Sequence, residues 1–365
     1  MTNRNIDRLP QPAPRLIVDL AKIQSNYKTL QAMAPHSAVG AVVKANAYGL
    51  GATEVVPALA DAGCKHFYVA HMSEGEEARR ALKGVDAEIF VFNGFWPAEL
   101  PALREFDLFP VINDLGQARQ LREIAPDLPC AIHFDSGINR LGLDAREAET
   151  YLGSDLPETL KVRQHLSHLA CADDPKHALN ATQLERFRTI AARSGKEIKI
   201  SLANSAGTLL GSDYHFDVLR PGLALYGGAP NPASASPFQV CVQIEAPILQ
   251  LRKLQPGDQI GYGATWTADK PTRTATVAAG YADGILRACG EGGIARLNGQ
   301  AVPILGRVSM DLISVDLSNY EGEPRPGDPV CFLSEDLDAL ANHAGAISYE
   351  LLVRLGLRFN RVYRR

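Results

Sequence analysis

A chain of 365 residues has room for two domains, or for one large barrel with an addition. Its 37 basic and 41 acidic residues nearly balance and form no long basic block, which argues against nucleic acid as a partner. No stretch approaches the roughly 18 apolar residues of a membrane span. The polar, proline-rich residues 1–15 lack the apolar core of a secretory signal, and the six scattered cysteines form no C-x-x-C pair, so a cytoplasmic protein with free thiols and no metal centre is expected.

A strand at 16–20 precedes a helix at about 21–33. Short apolar runs then recur at 39–44, 66–71, 88–92, 108–112, 130–134, 160–168, 198–202 and 216–219, each the length of a buried strand. Helix-start signals lie between them. Ser73-Glu74-Gly75-Glu76 has capping-box spacing, Asn113 or Asp114 can cap a helix running toward Ile124, and Asp144 can cap another at 145–152. Eight such units over about 200 residues predict a (β/α)8 TIM-type barrel. A doubly wound open sheet fits less well, because no G-x-G-x-x-G follows the first strand.

Past Ser236 the pattern changes to strands joined by turns. Runs at 239–253, 273–279, 294–297, 301–305, 308–315 and 329–333 read as strands. Asn298-Gly299 marks a hairpin, and one helix is expected at 337–344. The fold class is therefore α/β: an N-terminal barrel, residues 12–236, plus a C-terminal mostly-β domain, residues 237–365. The proline-, alanine- and serine-rich 231–237 is the candidate linker.

Barrels of this kind work at the C-terminal ends of their strands. Lys44 ends the first run, where desolvation can lower its pKa and favour Schiff-base chemistry; it could equally snorkel into water. Tyr48 follows it. Asp135 and Arg140 follow the fifth run and His168 ends the sixth. Asn204 and Ser205 follow the seventh, and Arg220, Gly222 and Leu223 the eighth. Barrels often bind phosphate after strands seven and eight. Ser205 offers a hydroxyl, and the amides of Gly222 and Leu223 could donate to an anion. Ser205 could also cap a helix, and His168 could be a hydrogen-bonded core histidine. A phosphate site opposite a Schiff-base lysine suggests pyridoxal phosphate.

The chain closely resembles the alanine racemases, which are fold-type III pyridoxal-phosphate enzymes, from about residue 14 to 363. The most specific match is Ala41-Val-Val-Lys-Ala-Asn-Ala-Tyr-Gly-Leu-Gly51. Others are Ser167-His168-Leu-Ala-Cys-Ala-Asp173, Ala203-Asn204-Ser205, Arg220-Pro-Gly-Leu-Ala-Leu-Tyr-Gly227, Gly261-Tyr262-Gly263, Gly280-Tyr281-Ala-Asp-Gly284, Gly306-Arg-Val-Ser-Met310-Asp311 and Ile347-Ser-Tyr349-Glu350.

The resemblance implies the following roles. Lys44 holds the cofactor as a Schiff base. Tyr48, Ser205, Gly222, Leu223 and Tyr349 bind its phosphate, and Asn204 and His168 also belong to the cofactor site. Arg220 faces the pyridine nitrogen and, unable to give up a proton readily, leaves it unprotonated. His168 links Arg220 to Tyr262. Arg140 orients substrate or the cofactor's phenolic oxygen, and the Met310 amide helps hold the substrate carboxylate. Tyr281 and Asp311 support, and Asp173, Arg287 and Arg307 line the entrance. Lys44 takes the proton from D-alanine and Tyr262, from the other subunit of a head-to-tail homodimer, takes it from L-alanine; on residue type alone Tyr262 could be a turn aromatic. D-Alanine for peptidoglycan is the role the family usually implies. The alternative is a broad-specificity racemase acting on serine or basic amino acids. The chain departs from many relatives at His133, where they carry a lysine that can be carbamylated. Arg140 must then be oriented by His133 itself, a nearby acid or a bound anion.

Overall fold

The computed structural model describes residues 13–231, 235–335 and 337–365. Residues 1–12, and 232–234 of the candidate linker, lie outside the described residues. The chain divides into two compact units, residues 20–239 and residues 13–19 with 240–365.

The first unit is a parallel barrel. Its first strand is broken into Ala38–Val39 and Ala41–Val42. His66–Val69, Glu88–Val91, Leu108–Ile112, Cys130–His133, Val162–Leu166, Lys199–Ser201 and Val218–Leu219 follow. Neighbours pair in sequence order from Ala41–Val42 to Lys199–Ser201. The ring closes because Asp217 N donates to Ile200 O (3.0 Å) and Val218–Leu219 pairs in parallel with Ala38–Val39. The break at Gly40 has a steric cause: a Cβ there would lie 2.7 Å from Tyr68 Cε2 and 2.9 Å from His66 O. Five of the eight strands are nearly all Val, Ile, Leu, Phe, Ala and Cys and are mostly buried, as a sheet covered on both faces requires.

Helices follow most strands. Asp114, rather than Asn113, caps Leu115–Ile124 by accepting from Gln117 N at 2.8 Å, and Asp144 caps Ala145–Leu152. The helix Met72–Leu82 starts one residue before Ser73. Glu74, not Glu76, reaches back to the amides of Ala70 and His71 (2.8 and 3.0 Å).

The second unit is built on the long strand Val242–Leu254. Its first half alternates buried and half-buried residues, the period of a sheet with one covered face. That half pairs with Arg15–Asp19 and Pro329–Phe332, and the second half with Thr272–Val277, across a register shift between Ile248 and Gln250. Ile313–Asp316, Gln300–Leu305 and Ile294–Leu297 complete the circuit between Thr272–Val277 and Pro329–Phe332.

Three local expectations are corrected. The strand at Arg15–Asp19 pairs antiparallel with Val242–Leu254 and parallel with Asn360–Arg364, so it belongs to the β unit and not to the barrel domain read as 12–236. The expected strand at 308–315 begins only at Ile313. Ahead of it the backbone of Ser309 and Met310 turns to accept hydrogen bonds from Tyr281 N (3.0 Å) and Ala282 N (3.1 Å). The residues after Lys44, read as a loop, form one turn of left-handed helix.

Candidate active site

The left-handed turn fixes Lys44. Ala45, Asn46, Ala47 and Tyr48 have φ of 52°, 56°, 51° and 55°, a conformation that costs about 1–2 kcal/mol per L-residue. Compensating bonds hold it: Ala45 N to Glu74 Oε1 (2.6 Å), Ala47 N to Val43 O (2.8 Å) and Ala52 N to Asn46 Oδ1 (2.7 Å). Lys44 thereby leaves the strand at the open mouth. Although its side chain reaches solvent there, the surrounding protein strips enough hydration to lower its pKa. The Arg140 charge lowers it further and Glu74 opposes.

The loops after strands seven and eight interlock. Asn204 caps the short helix Ser205–Leu209 through Gly207 N (2.8 Å). That frees the buried Ser205 hydroxyl to accept from Gly222 N (2.9 Å) and Ala224 N (3.2 Å). Gly222 is thus already bonded to Ser205, and Leu223 opens the next turn, Leu223–Tyr226. Tyr48 packs on Tyr226 with ring centroids 4.8 Å apart.

Arg220 is 3% exposed and donates to Ser201 Oγ, to Ser167 O and, at 3.5 Å, to Leu202 O. Burial pulls its pKa to about 10, with the Tyr68 phenol opposing, so it remains cationic at neutral pH. His168 has no side-chain hydrogen bond among the described residues, and the link to Arg220 implied by the resemblance is not formed. Burial lowers its pKa to about 3, helped by Arg220, Arg140, His133 and Lys44. Lys44, Arg140, His168 and Arg220 each follow the C-terminal end of a barrel strand and so lie around one mouth.

Two polar residues outside the sequence-based set organise this mouth. Gln183, fully buried on the helix Ala178–Ala191, donates to Ser136 Oγ (3.1 Å) and His168 O (2.9 Å) and accepts from Ala170 N (2.8 Å). It clamps the loop leading to Arg140 against the one carrying His168. Asn113 bonds His133. In sequence Gln183 looks like an ordinary surface amide and Asn113 like a candidate helix cap, and only burial points to their roles here. Asp173 lies exposed on the loop after strand six.

The remaining candidates lie in the β unit. Tyr262 sits at the tip of the hairpin joining Gln259–Ile260 to Trp266–Thr267 and is 74% exposed. Gly261 and Gly263, at φ of 72° and 76°, make that turn, and a Cβ on Gly263 would lie 2.9 Å from Arg307 Nη1. Tyr281 opens the turn Tyr281–Asp283, and Met310, 52% exposed, faces solvent beside it. Asp311 accepts from Arg358 Nη1 (2.7 Å), whose guanidinium also grips the buried Asp283. Arg287, exposed, opens the turn Arg287–Cys289, which ends on the buried Cys289, and Tyr349 lies on the first turn of the helix Ser348–Val353. Among the described residues no helix is long and apolar enough to cross a membrane, and no group of His, Cys, Asp and Glu could hold a metal ion.

Comparison with known proteins gives concordant matches. Residues 18–230 match the family profile "Alanine racemase, N-terminal domain", and residues 241–363 match "Alanine racemase, C-terminal domain". A catabolic alanine racemase of Agrobacterium fabrum is 43% identical over 95% of this chain and 91% of its own length. Among solved structures, alanine racemase from Bartonella henselae with covalently bound pyridoxal phosphate superposes with a TM-score of 0.90 at 34% identity, covering 96% of this chain and 99% of that one. The biosynthetic alanine racemase of Pseudomonas aeruginosa also gives 0.90, at 36% identity, covering 97% and 99%.

Proposed function

This chain belongs to the alanine racemase family, and from that premise we propose that it interconverts L- and D-alanine with Lys44 and Tyr262 as the two proton carriers. The reading rests most on one observation: Lys44, Arg140, His168 and Arg220 all follow strand ends at one barrel mouth, where burial, with the Arg140 charge adding to it against Glu74, holds the Lys44 amine below its ordinary pKa. The matches are to alanine racemases by name and do not favour the broad-specificity alternative.

Pyridoxal phosphate is the family's cofactor, and the barrel fits it. Lys44 offers an amine with a lowered pKa, and the Ser205 hydroxyl, the Leu223 amide and the side-chain-free Gly222 form a cradle beneath Tyr48. When bound, it supplies an electron sink that acidifies the substrate Cα–H.

The chain's own residues direct the proton. Racemisation removes a proton from one face of Cα and returns one to the other, so two bases are the direct solution. A lowered pKa raises the fraction of Lys44 Nζ that is free base at a given pH, which suits it to take the proton from D-alanine. Tyr262 Oη, on a solvent-facing hairpin, is assigned the proton of L-alanine, delivered by a second copy in a head-to-tail homodimer. Arg220 is held by carbonyl and hydroxyl oxygens as a permanent cation with no proton to lend. Arg140 is assigned to substrate or cofactor orientation, and the Met310 amide, beside Tyr281, to the substrate carboxylate. Tyr281 and Asp311 support that turn, and Asp173, Arg287 and Arg307 line the approach. The same reading includes a cytoplasmic enzyme supplying D-alanine for peptidoglycan, and the barrel and β-rich domains, the second amended by the strand Arg15–Asp19.

The test is stereochemical turnover of L- and D-alanine, serine, lysine and arginine with pyridoxal phosphate supplied. Turnover of alanine alone supports the proposal. Comparable turnover of serine or the basic amino acids replaces it with the broad-specificity reading, and turnover of none removes the two-base assignment.

A further inference from the structure

The fifth barrel strand ends on His133, and its surroundings fix the state of its imidazole. The side-chain amide nitrogen of Asn113 donates to Phe92 O (2.8 Å) and Val111 O (3.0 Å), two atoms that can only accept. Asn113 Oδ1 is therefore the atom 2.9 Å from His133 Nδ1, and Nδ1 must carry the proton. Nε2 is left with a lone pair. His133 is 8% exposed, and its Nε2 is buried with no partner among the described residues. Burial, with the charges of Arg220 and Arg140 adding to it against Asp135, lowers the pKa to about 4, so the ring stays neutral.

The loop carrying Arg140 closes on this residue. Leu143 N donates to His133 O (2.8 Å), and Asp135 N donates to Leu143 O (2.9 Å). Between them Asp135 Oδ1 accepts from the amides of Gly137, Ile138 and Asn139 (2.8–3.2 Å), which curls the loop back. A Cβ on Gly142 would lie 3.1 Å from His133 Cδ2, the ring carbon bonded to Nε2. The Cδ2 side of the ring, next to Nε2, thus packs against the Arg140 loop. Arg140 is exposed and donates to no described residue. It also has no carboxylate partner in an ion pair among the described residues.

We propose that His133 is a positioning residue: its Nε2 accepts a guanidinium N–H when Arg140 folds over a carboxylate at the barrel mouth. The inference rests on the ligand-orienting role assigned to Arg140 above. It makes an uncharged acceptor serve where a negative group would otherwise be needed. Such an acceptor leaves more of the positive field at the mouth available to the ligand carboxylate.

The experiment measures propionate binding to the holoenzyme by competition with alanine, for His133→Phe, Arg140→Ala, the double variant and His133→Gln. The expected results are an approximately tenfold loss for His133→Phe, as for one charge-assisted hydrogen bond. The double variant should bind no more weakly than Arg140→Ala, and His133→Gln, which restores a carbonyl acceptor, should recover most of the loss. Additive losses overturn the proposal. In wild-type holoenzyme with 15N-labelled histidine, the unprotonated Nε2 resonance should move toward a hydrogen-bonded shift when propionate is added. An unmoved resonance also overturns it, and this arm decides the matter if His133→Phe does not fold. Failure of wild-type alanine turnover counts against the racemase reading. Normal turnover with additive losses removes His133 alone.

Discussion

Gly222 lacks a side chain at the spot where the Tyr48 hydroxyl packs: a Cβ on Gly222 would overlap that oxygen and lie 2.8 Å from Cζ. The loop after strand eight and the turn after strand one are thereby fitted to each other. Gly222→Ala should destabilise the protein by roughly 1–3 kcal/mol through overpacking and weaken pyridoxal-phosphate binding. Adding Tyr48→Phe should recover part of the stability. Thermal melts and a cofactor titration read the two effects, and an unaltered cofactor affinity in Gly222→Ala would remove Gly222 from the cradle.

Tyr262→Phe should slow proton removal from L-alanine by on the order of 10²–10⁴-fold while leaving cofactor attachment intact. Loss of deuterium from Cα-deuterated L- and D-alanine, followed separately by mass spectrometry, checks the direction. Equal slowing from both enantiomers would contradict the division of labour with Lys44.

Lys44→Ala should abolish the visible absorbance of covalently held cofactor and lower turnover by on the order of 10⁴-fold. Melting should change little, because the side chain is exposed and no hydrogen bond of the left-handed turn uses it. An external amine should restore some turnover, read by a chiral assay.

Acid should unfold the barrel through its histidines. Burial lowers His165 and His168 to about 3 and His133 to about 4, from about 6.5 when unfolded. The unfolded chain binds these protons first, so stability is full above about pH 6.5 and falls as pH drops toward 4 and then 3. Each group adds about 1.4 kcal/mol per pH unit inside its window. Urea midpoints from pH 7 to 4 measure the slope, and His165→Gln should reduce it by one such increment.

Gln183→Leu removes the clamp between the loops of Arg140 and His168. It should cost about 1–3 kcal/mol for the buried groups left unpaired and raise KM more than it lowers kcat. Steady-state kinetics beside a urea titration separate the two. A stability loss with unchanged KM would make Gln183 a purely structural residue.

The barrel was legible because a strand buried on both faces is a short apolar run, and most of the eight strands are such runs, in order, while Val162–Leu166 and Lys199–Ser201 are more polar. The strand at Arg15–Asp19 was visible as a strand but not as a member of the other sheet, since pairing partners leave no local trace. The run at 308–315 misled because Val308 and Ile313 are both buried core residues while Ser309, Met310 and Asp311 between them turn outward. Asn360–Arg364 escaped notice because its burial is only partial and its composition polar. At the site, Lys44, Ser205 and Arg220 could be picked out as reactive types at strand ends. Gln183 and Asn113 could not, because a buried amide has the same letter as an exposed one.

The pairing of Arg15–Asp19 with Asn360–Arg364 orders events on the ribosome. The first strand of the β unit is synthesised before the barrel, and its parallel neighbour emerges after the barrel and the other described strands of the β unit. The barrel, whose strands pair with near neighbours in sequence, can assemble during synthesis. The β sheet must keep one edge of Arg15–Asp19 unpaired until Asn360–Arg364 has been made, so its completion carries the long-range closure that slows folding. Until then the edge of Arg15–Asp19 that Asn360–Arg364 will cover remains a template for wrong partners. Emergence of Asn360–Arg364, not barrel formation, is the step that covers this edge of Arg15–Asp19.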